Sequence, residues 1–360
     1  MDLSFLKPLY SRPGPYASVY ADLTRTTEDA PKAAELRWRA LRADLEAQRA
    51  PRETLKAIDE AIGHELELRR SEGLILFAAG GEVVHTERLP EAPAASLARV
   101  SPLPHVLPYL AERGERYPHV VAVVDRQGGE IDSVDAEGRR RHVDVQGDEG
   151  PVRKTKSAGD AESSHLQRLA ENGLRANAKK VGREIDRTAR RCHAEAVLIA
   201  GDPRARTAVL DEISEGVREH TVESGRGAEL SSELSRVLSL KKAERVMAVA
   251  ERFDRELANG ERAVAGLPAT VEAARRGQIE SLLLDEDPES PAQLWIGPDS
   301  THLAADPEEL TQYGVDEPQR ERADAALVRA VAATDGELVI LPSNGPDAEL
   351  GVGAVLRFRT

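Results

Sequence analysis

The fold is decided by the stretch His119-Val120-Val121-Ala122-Val123-Val124-Asp125 and by the turns that follow it. A run this rich in valine predicts a β-strand that is buried on both faces. The glycine pair Gly128-Gly129 and the turn at Glu137-Gly138 predict two further strands, near 130–135 and 139–145. The stretch therefore opens a three-stranded meander.

A long helix is predicted after the meander, over roughly 161–192. Its apolar residues recur every three or four positions and form one stripe, made of Leu166, Leu169, Leu174, Ala178, Val181, Ile185, Ala189 and Cys192. A buried strand at Glu195–Ala200, a helix from Asp202 and an alternating strand at Val217–Val222 come next. The order β-β-β-α-β-α-β predicts one mixed sheet with helices packed against it, as in RNase H-like folds.

Working outward, the chain of 360 residues is long enough for two or three domains. We predict an α/β protein of three domains. The N-terminal domain, 1–117, alternates strands and helices and ends after a proline-rich stretch. The middle domain, 118–238, contains the meander and the long helix. The C-terminal domain, 239–360, has the pattern of a compact αβα unit.

Charge is unevenly distributed along the chain. The 49 Lys and Arg residues against 63 Asp and Glu give a net charge of −14. This charge argues against a protein that coats nucleic acid without specificity. Residues 139–191 contain 14 basic and 8 acidic residues, however, so this segment carries +6 and the remainder −20. One focused contact with phosphates therefore stays compatible with the overall acidity.

Several kinds of site are not expected. With one cysteine, Cys192, the chain can form neither an internal disulfide nor a cysteine-based zinc site, and its place on the apolar stripe indicates a buried structural thiol. The sequence has no phosphate-binding loop and no nucleophile elbow, and its nine histidines are scattered. We expect no cofactor and no metal. Neither a signal peptide nor a membrane span is predicted, which favours a cytoplasmic protein.

The candidate binding site is the polar loop 146–164 together with the helix that follows it. Basic residues in this region suit contact with RNA phosphates, whereas a solvated helix face balanced by Glu171, Glu184 and Asp186 is the alternative. The predicted contact residues are Arg153, Lys154, Lys156, Arg168, Lys179, Lys180 and Arg183.

The same region carries a family resemblance. A meander, a basic loop and a helix beginning His165-Leu166-Gln167-Arg168-Leu169 resemble the middle domain of the archaeal and eukaryotic class-one release factors. The segments 277–284 and 350–358 resemble strands of that family and of its relative Pelota. The whole chain is similar to an actinobacterial member of the bacterial release-factor-like group, which includes the ribosome hibernation factor Balon. The resemblance implies a C-terminal domain like kink-turn-binding ribosomal proteins.

The chain departs from the family at its catalytic motif. Family release factors carry Gly-Gly-Gln at the tip of the loop, and the corresponding triplet here is Gly159-Asp160-Ala161. The glutamine is absent, and an aspartate at this tip would bring negative charge towards phosphates. The Asn-Ile-Lys-Ser stop-codon motif is absent as well. The resemblance therefore implies a ribosome contact at Gly159 without a catalytic residue.

The leading hypothesis is a ribosome-binding factor that occupies the A site in stress or dormancy, as in hibernation. Its implied partners are the 70S ribosome and, by resemblance to Balon alone, elongation factor Tu, with no membrane or DNA partner. One alternative is a peptidyl-tRNA hydrolase acting in ribosome rescue, with Ser163, Ser164 or His165 assisting water beside Gly159. The other alternative is an acidic protein–protein adaptor.

Overall fold

The structure, a computed structural model, contains two compact units. Unit 1 comprises Met1–Gly114 and Val246–Thr360, and unit 2 comprises Glu115–Arg245. Four sheets with accompanying helices confirm the predicted α/β class within the described residues, while the division into three domains stays a prediction. For residues 30–31 and 160–170 the structure describes the backbone but not the side chains. The described residues are 1–25, 30–68, 72–147, 160–225, 229–285, 291–341 and 351–358.

The N-terminal part of unit 1 is a four-stranded antiparallel sheet with helices. Its elements are β1 (Tyr16–Asp22), α1 (Ala30–Ala47), α2 (Arg52–Leu68), β2 (Gly73–Ala79), β3 (Glu82–Leu89), β4 (Leu97–Ser101) and α3 (Leu107–Arg113). The strands lie in the order β3-β2-β1-β4. Helices α1 and α2 cover one face, where Leu45, Ile58 and Ile62 pack with Val19 and Leu74 of the strands. The apolar spacing of both helices therefore faces the sheet.

Unit 2 is built on a five-stranded mixed sheet. The elements that follow α3 are β5 (His119–Val124), β6 (Gly128–Val134), β7 (Arg140–Gln146), α4 (Asp160–Cys192), β8 (Ala196–Gly201), α5 (Pro203–Glu212), α6 (Glu215–Arg218), β9 (Thr221–Glu223) and α7 (Leu230–Ala258), whose last residues belong to unit 1. The strand order is β7-β6-β5-β8-β9. Strands β5, β6 and β7 are antiparallel, whereas β8 and β9 run parallel to β5. The predicted mixed sheet with packed helices is confirmed.

The core of unit 2 lies on one face of this sheet. Val120, Ala122 and Val124 of β5 are buried there, against Val181 and Ile185 of α4 and their neighbours. On the other face Val123 is 38% exposed. The prediction of burial on both faces was therefore wrong for β5, because its neighbour β6 and the strand beyond it, β7, present polar residues on the second face.

The strand predicted at Val217–Val222 is also shorter than expected. Residues 215–218 form the helical turn α6, in which Val217 is buried, and the strand begins only at Thr221. Two valines separated by four residues fit a helical turn followed by a strand as well as they fit one alternating strand. The periodicity alone therefore did not fix this boundary.

The C-terminal part of unit 1 has two sheets. Its elements are β10 (Ala263–Ala265), α8 (Leu267–Arg275), β11 (Ile279–Asp285), β12 (Gln293–Ile296), β13 (Leu303–Ala304), α9 (Pro307–Gln312), β14 (Gln319–Arg322), α10 (Ala323–Ala333), β15 (Glu337–Leu341) and β16 (Val352–Leu356). The sheet orders are β10-β16-β11-β15 and β13-β12-β14. Helix α10 is buried on nearly every side, which its alanine and valine content permits.

The first residues of the chain pack into the core of unit 1. Leu3, Leu6 and Leu9 lie in or beside two short 3-10 turns and are buried in the same core as residues of β11, α10 and β15. The Met1 amino nitrogen donates to the Leu338 carbonyl oxygen at 2.5 Å, and the Leu338 N–H donates to the Met1 carbonyl at 2.8 Å. The two parts of unit 1 therefore share one core.

Candidate nucleic-acid interface

Helix α4 has two faces of opposite character. Ala178, Val181 and Ile185 pack into the core of unit 2. Arg175, Lys179 and Arg183 are exposed and follow one another at intervals of four residues, which places them along one side of the helix. We call these three residues the cation column. It presents three positive charges to solvent.

The cation column differs in its ion pairing from Arg187 and Arg139 of unit 2, although Arg140, Arg141 and Arg204 are likewise exposed without an ion pair to a described residue. Arg187 pairs with Glu184 at 2.9 Å, and Arg139 pairs with Asp135 at 2.7 Å. Arg175, Lys179 and Arg183 form no ion pair with any residue that the structure describes. A phosphate can therefore be neutralised at the column without first displacing an internal carboxylate.

Close packing at one end of the sheet joins α4 to the strand turns. Asn177 is 4% exposed, and its Nδ2 donates to the Arg126 carbonyl oxygen at 3.0 Å. The Gly147 N–H donates to the Gln127 carbonyl oxygen at 2.6 Å. A Cβ added at Gly147 would stand 2.1 Å from Asn177 Oδ1, so only glycine fits this contact. We call Arg126, Gln127, Gly147 and Asn177 the glycine clasp.

The glycine clasp fixes where the chain leaves the sheet. Gly147 is the last described residue before the segment 148–159, and it lies directly against the side chain of Asn177 on α4. Lys179 of the cation column is two residues further along the same helix. Gly147, which precedes the basic segment in the chain, therefore lies beside the helix that carries the exposed cations.

A cavity of about 900 Å³ opens at the same end of unit 2, but its chemistry is acidic. Its lining includes Asp125, Glu130, Asp144 and Asp202. Two of these carboxylates are already engaged: Asp125 accepts from the Gln127 N–H at 2.7 Å, and Asp202 accepts from backbone N–H groups at the start of α5. The lining therefore repels phosphates, and the cation column remains the candidate interface.

Within the described part of the chain, neither a metal site nor a reactive thiol accompanies the interface. No cluster of His, Cys, Asp and Glu able to hold a metal occurs among the described residues. Cys192 is buried, its Sγ donates to the Ala189 carbonyl, and burial raises the pKa of its thiol. A protonated, buried thiol is a packing residue. None of the described helices has the length and apolarity needed to cross a bilayer.

The predicted contact residues fall into two groups. Arg153, Lys154, Lys156 and Gly159 lie outside the described residues, and so does the side chain of Arg168, although α4 includes its backbone. The structure describes the other predicted residues: Lys179 and Arg183 are exposed in the cation column, whereas Lys180 is half-buried.

The sequence prediction omitted Arg175 and the glycine clasp. Arg175 could have been found, because it stands four residues before Lys179 and eight before Arg183. Gly147 and Asn177 carry no such signal, because their contact joins residues that are thirty positions apart.

Comparison with known protein families gives a match to the middle of the chain. Residues 118–259 match the family model described as bacterial archaeo-eukaryotic release factor family 2. This segment is similar to a release-factor-like family. The predicted family resemblance is thus confirmed where the long helix and the mixed sheet lie, and the particular likeness to Balon stays a prediction.

Other known proteins are similar to this chain over nearly its whole length. A protein of Mycobacterium tuberculosis strain H37Rv, named "Uncharacterized protein Rv2629", is 28% identical over 98% of this chain and 96% of its own length. An archaeal translation termination factor, aRF1, is similar at 14% identity over 99% and 97% of the two chains, with a TM-score of 0.25. Archaeal Pelota from a ribosome-bound model with ABCE1 is similar at 15% identity over 99% and 94%, with a TM-score of 0.39.

Proposed function

We propose that this protein is a ribosome-binding factor whose unit 2 contacts ribosomal RNA. The observation that carries the proposal is the cation column of α4, three exposed cations without internal carboxylate partners in the described structure. Positions four residues apart rise about 6 Å along a helix, so each cation can reach a separate phosphate. The release-factor-like match over 118–259 includes this helix and supports RNA of the ribosome as the partner.

The proposal includes the basic segment that follows Gly147 in the sequence. Arg153, Lys154, Lys156 and Gly159 would extend the phosphate contacts of the cation column, together with Arg168 and Lys180. The contact of Gly147, the last described residue before this segment, with Asn177 of α4 supports this extension. The acidic remainder of the chain, at −20, restricts RNA contact to this surface.

We further propose that binding takes place at the A site in stress or dormancy and does not hydrolyse peptidyl-tRNA. The sequence Gly159-Asp160-Ala161 supports a non-hydrolytic role, because it lacks the glutamine of the family motif. Elongation factor Tu is a proposed companion on resemblance alone. A ribosome-bound factor of this kind would act in the cytoplasm.

Charge reversal in the cation column tests the RNA contact. The double variant Lys179→Glu, Arg183→Glu should weaken binding to 70S ribosomes about tenfold or more, because two attractive interactions with phosphates become repulsive. Binding is measured by co-sedimentation with ribosomes from stationary-phase cells at several salt concentrations. The slope of log affinity against log salt should become shallower by about 0.7 for each phosphate that the variant no longer neutralises.

Arg236→Glu is the matched control for this experiment. Arg236 is an exposed cation on α7 that pairs with Glu233 at 2.6 Å, so its reversal introduces the same kind of charge change away from the cation column. It should bind like the wild-type chain. Undiminished binding by the double variant would show that α4 is not the interface.

Two further outcomes address the rest of the proposal. Hydrolysis of peptidyl-tRNA on purified ribosomes by the wild-type chain would contradict the non-hydrolytic role. Failure of the wild-type chain to bind any ribosome preparation would contradict ribosome binding itself and favour the acidic adaptor.

A further inference from the structure

Unit 1 contains a cavity of about 680 Å³ that the proposed ribosome contact does not use. The N-terminal segment forms one wall through Tyr10 and Tyr16, and the C-terminal part forms the other through Ile296, Asp299 and Arg329. Its volume falls within the range of small-molecule sites.

Arg329 is a buried cation in the wall of this cavity. It projects from α10 and is 7% exposed. One terminal nitrogen donates to the Gly297 carbonyl at 3.1 Å and the other to the Asp299 carbonyl at 2.9 Å, while Nε has no hydrogen-bond partner in the described part of the chain. Arg329 also forms no ion pair with a described carboxylate. The carboxylates of Asp299 and Glu321 act on this charge from a distance without pairing with it, and the guanidinium retains a free donor at Nε.

Tyr10 supplies a second unpaired group in the same cavity. Its hydroxyl is buried and has no partner among the described residues. The hydroxyl of Tyr16, by contrast, lies 2.6 Å from the Leu9 carbonyl and donates to it. Buried polar groups in folded proteins are nearly always paired, so two unpaired donors in one cavity indicate a missing acceptor.

Three other charged residues of the lining are already engaged, whereas the exposed carboxylate of Glu317 forms no ion pair or hydrogen bond with a described residue. Lys7 pairs with Asp335 at 2.6 Å, and Arg12 pairs with Glu82 at 2.6 Å. The carboxylate of Asp299 accepts from the backbone N–H of Thr301 at 2.8 Å and from its hydroxyl at 2.7 Å. Arg329 is therefore the charge that an incoming ligand can neutralise.

We propose that this cavity binds a small organic oxyanion, a carboxylate or a phosphate ester, through Arg329 and Tyr10. The ligand oxygen accepts from Arg329 Nε and from the Tyr10 hydroxyl, directly or through one bound water. Pro102, Leu103 and Ile296 add apolar wall, which fits a ligand with a hydrophobic body. The cavity lies in unit 1 and shares no residue with the cation column, so the two proposals can fail separately.

The binding test uses the full chain and two probes, benzoate and phenyl phosphate, in titration calorimetry at constant ionic strength. Sodium chloride serves as the reference salt. At least one probe should bind saturably at one site and raise the melting temperature. Absence of saturable binding by both probes would overturn the proposal.

Tyr10→Phe gives a test with two readouts of opposite sign. The ligand-free variant should melt higher than the wild-type chain, because an unpaired buried hydroxyl is removed. Probe affinity should fall roughly fivefold, because one hydrogen bond to the ligand is removed. A lower melting temperature would show that the hydroxyl has a partner in the fold, and unchanged affinity would exclude it from the site. Either result would overturn the proposal.

Two further substitutions provide the controls. Tyr16→Phe should lower the melting temperature, because its hydroxyl donates within the fold. Tyr313→Phe, at a residue 64% exposed and outside this cavity, should leave probe affinity unchanged. Arg329→Lys keeps the charge but loses Nε, and it should weaken probe binding more than Tyr10→Phe does.

Discussion

His105 is a buried histidine whose ring is held neutral by its surroundings. It is 4% exposed, and its Nδ1 has no partner in the described part of the chain. The pKa of His105 is lowered to about 4, chiefly by burial; Asp324 opposes this shift, and the charges of Arg322 and Arg99 add to it. Because the unfolded chain has an ordinary histidine pKa near 6.5, acidification protonates the unfolded state first.

The pH dependence of unfolding should reveal this histidine. Between about pH 6.5 and pH 4, the unfolded chain binds a proton that the folded chain does not, so His105 removes on the order of 1 kcal/mol of stability for each unit of acidification. In His105→Gln this loss should disappear. Urea unfolding at a series of pH values measures the difference between the two proteins.

His142 offers the control for that series. Its Nδ1 lies 2.9 Å from the Asp132 carboxylate on the outer strands, and this hydrogen bond raises the pKa of His142. Any stability that His142 contributes is present at low pH and lost as the pH rises. His142→Gln should therefore not remove the loss of stability that occurs on acidification. Burial also raises the pKa of the Glu321 carboxyl. Because Glu321 is present in both the wild-type protein and His105→Gln, its contribution cancels in the difference between their stabilities. Identical curves for wild type and His105→Gln would contradict the expectation.

At the scale of elements, the glycine clasp joins β7, the β5–β6 turn and α4. Gly147→Ala should destabilise the protein by about 2 kcal/mol, because the new methyl group overlaps the buried amide of Asn177. Asn177→Ala should cost about 1–2 kcal/mol, because its hydrogen bond to the Arg126 carbonyl is removed. Denaturant unfolding of both single variants gives these two values.

The double variant decides whether the two residues act through one contact. Gly147→Ala combined with Asn177→Ala should cost about 1 kcal/mol less than the sum of the single variants, because the overlap disappears with the amide. Strict additivity would show that Gly147 is required for another reason. Gly63, whose added Cβ would meet nothing within 4 Å, provides the control as Gly63→Ala.

The elements also show what the sequence could and could not predict. Helix α4 was predicted within about a residue, because its apolar stripe of Ala178, Val181 and Ile185 is long and strictly periodic. The open face of β5 was not predicted, because valines give no sign of which neighbouring strand covers them. The glycine clasp and the meeting of Tyr10 and Arg329 in one cavity depend on long-range contacts, which one sequence does not display.

At the scale of the whole molecule, each unit has a core of its own. Leu3 is fully buried in the core of unit 1, whereas the core of unit 2 consists of residues between 120 and 217. Leu3→Ala should therefore destabilise unit 1 by about 2–5 kcal/mol. Native-state hydrogen exchange should show faster exchange for amides of β11 and β15, with the protection of β5 and β8 unchanged.

Ile185→Ala in α4 is the reciprocal variant for this measurement. Ile185 is fully buried in the core of unit 2, so its truncation should accelerate exchange in β5 and β8 and spare β11 and β15. Equal acceleration in both units by either variant would contradict two separate cores.

The position of Met1 against Leu338 has a consequence for the order in which the protein folds during synthesis. Unit 2 is encoded by one continuous stretch, so every residue of its core is available once that stretch has left the exit tunnel. Unit 1 is completed only after β15 and β16 are synthesised, and β15 pairs with a residue that was translated 337 positions earlier. Until then Leu3, Leu6 and Leu9 have no complete core to enter, and the nascent N-terminal region exposes an apolar surface suited to chaperone binding.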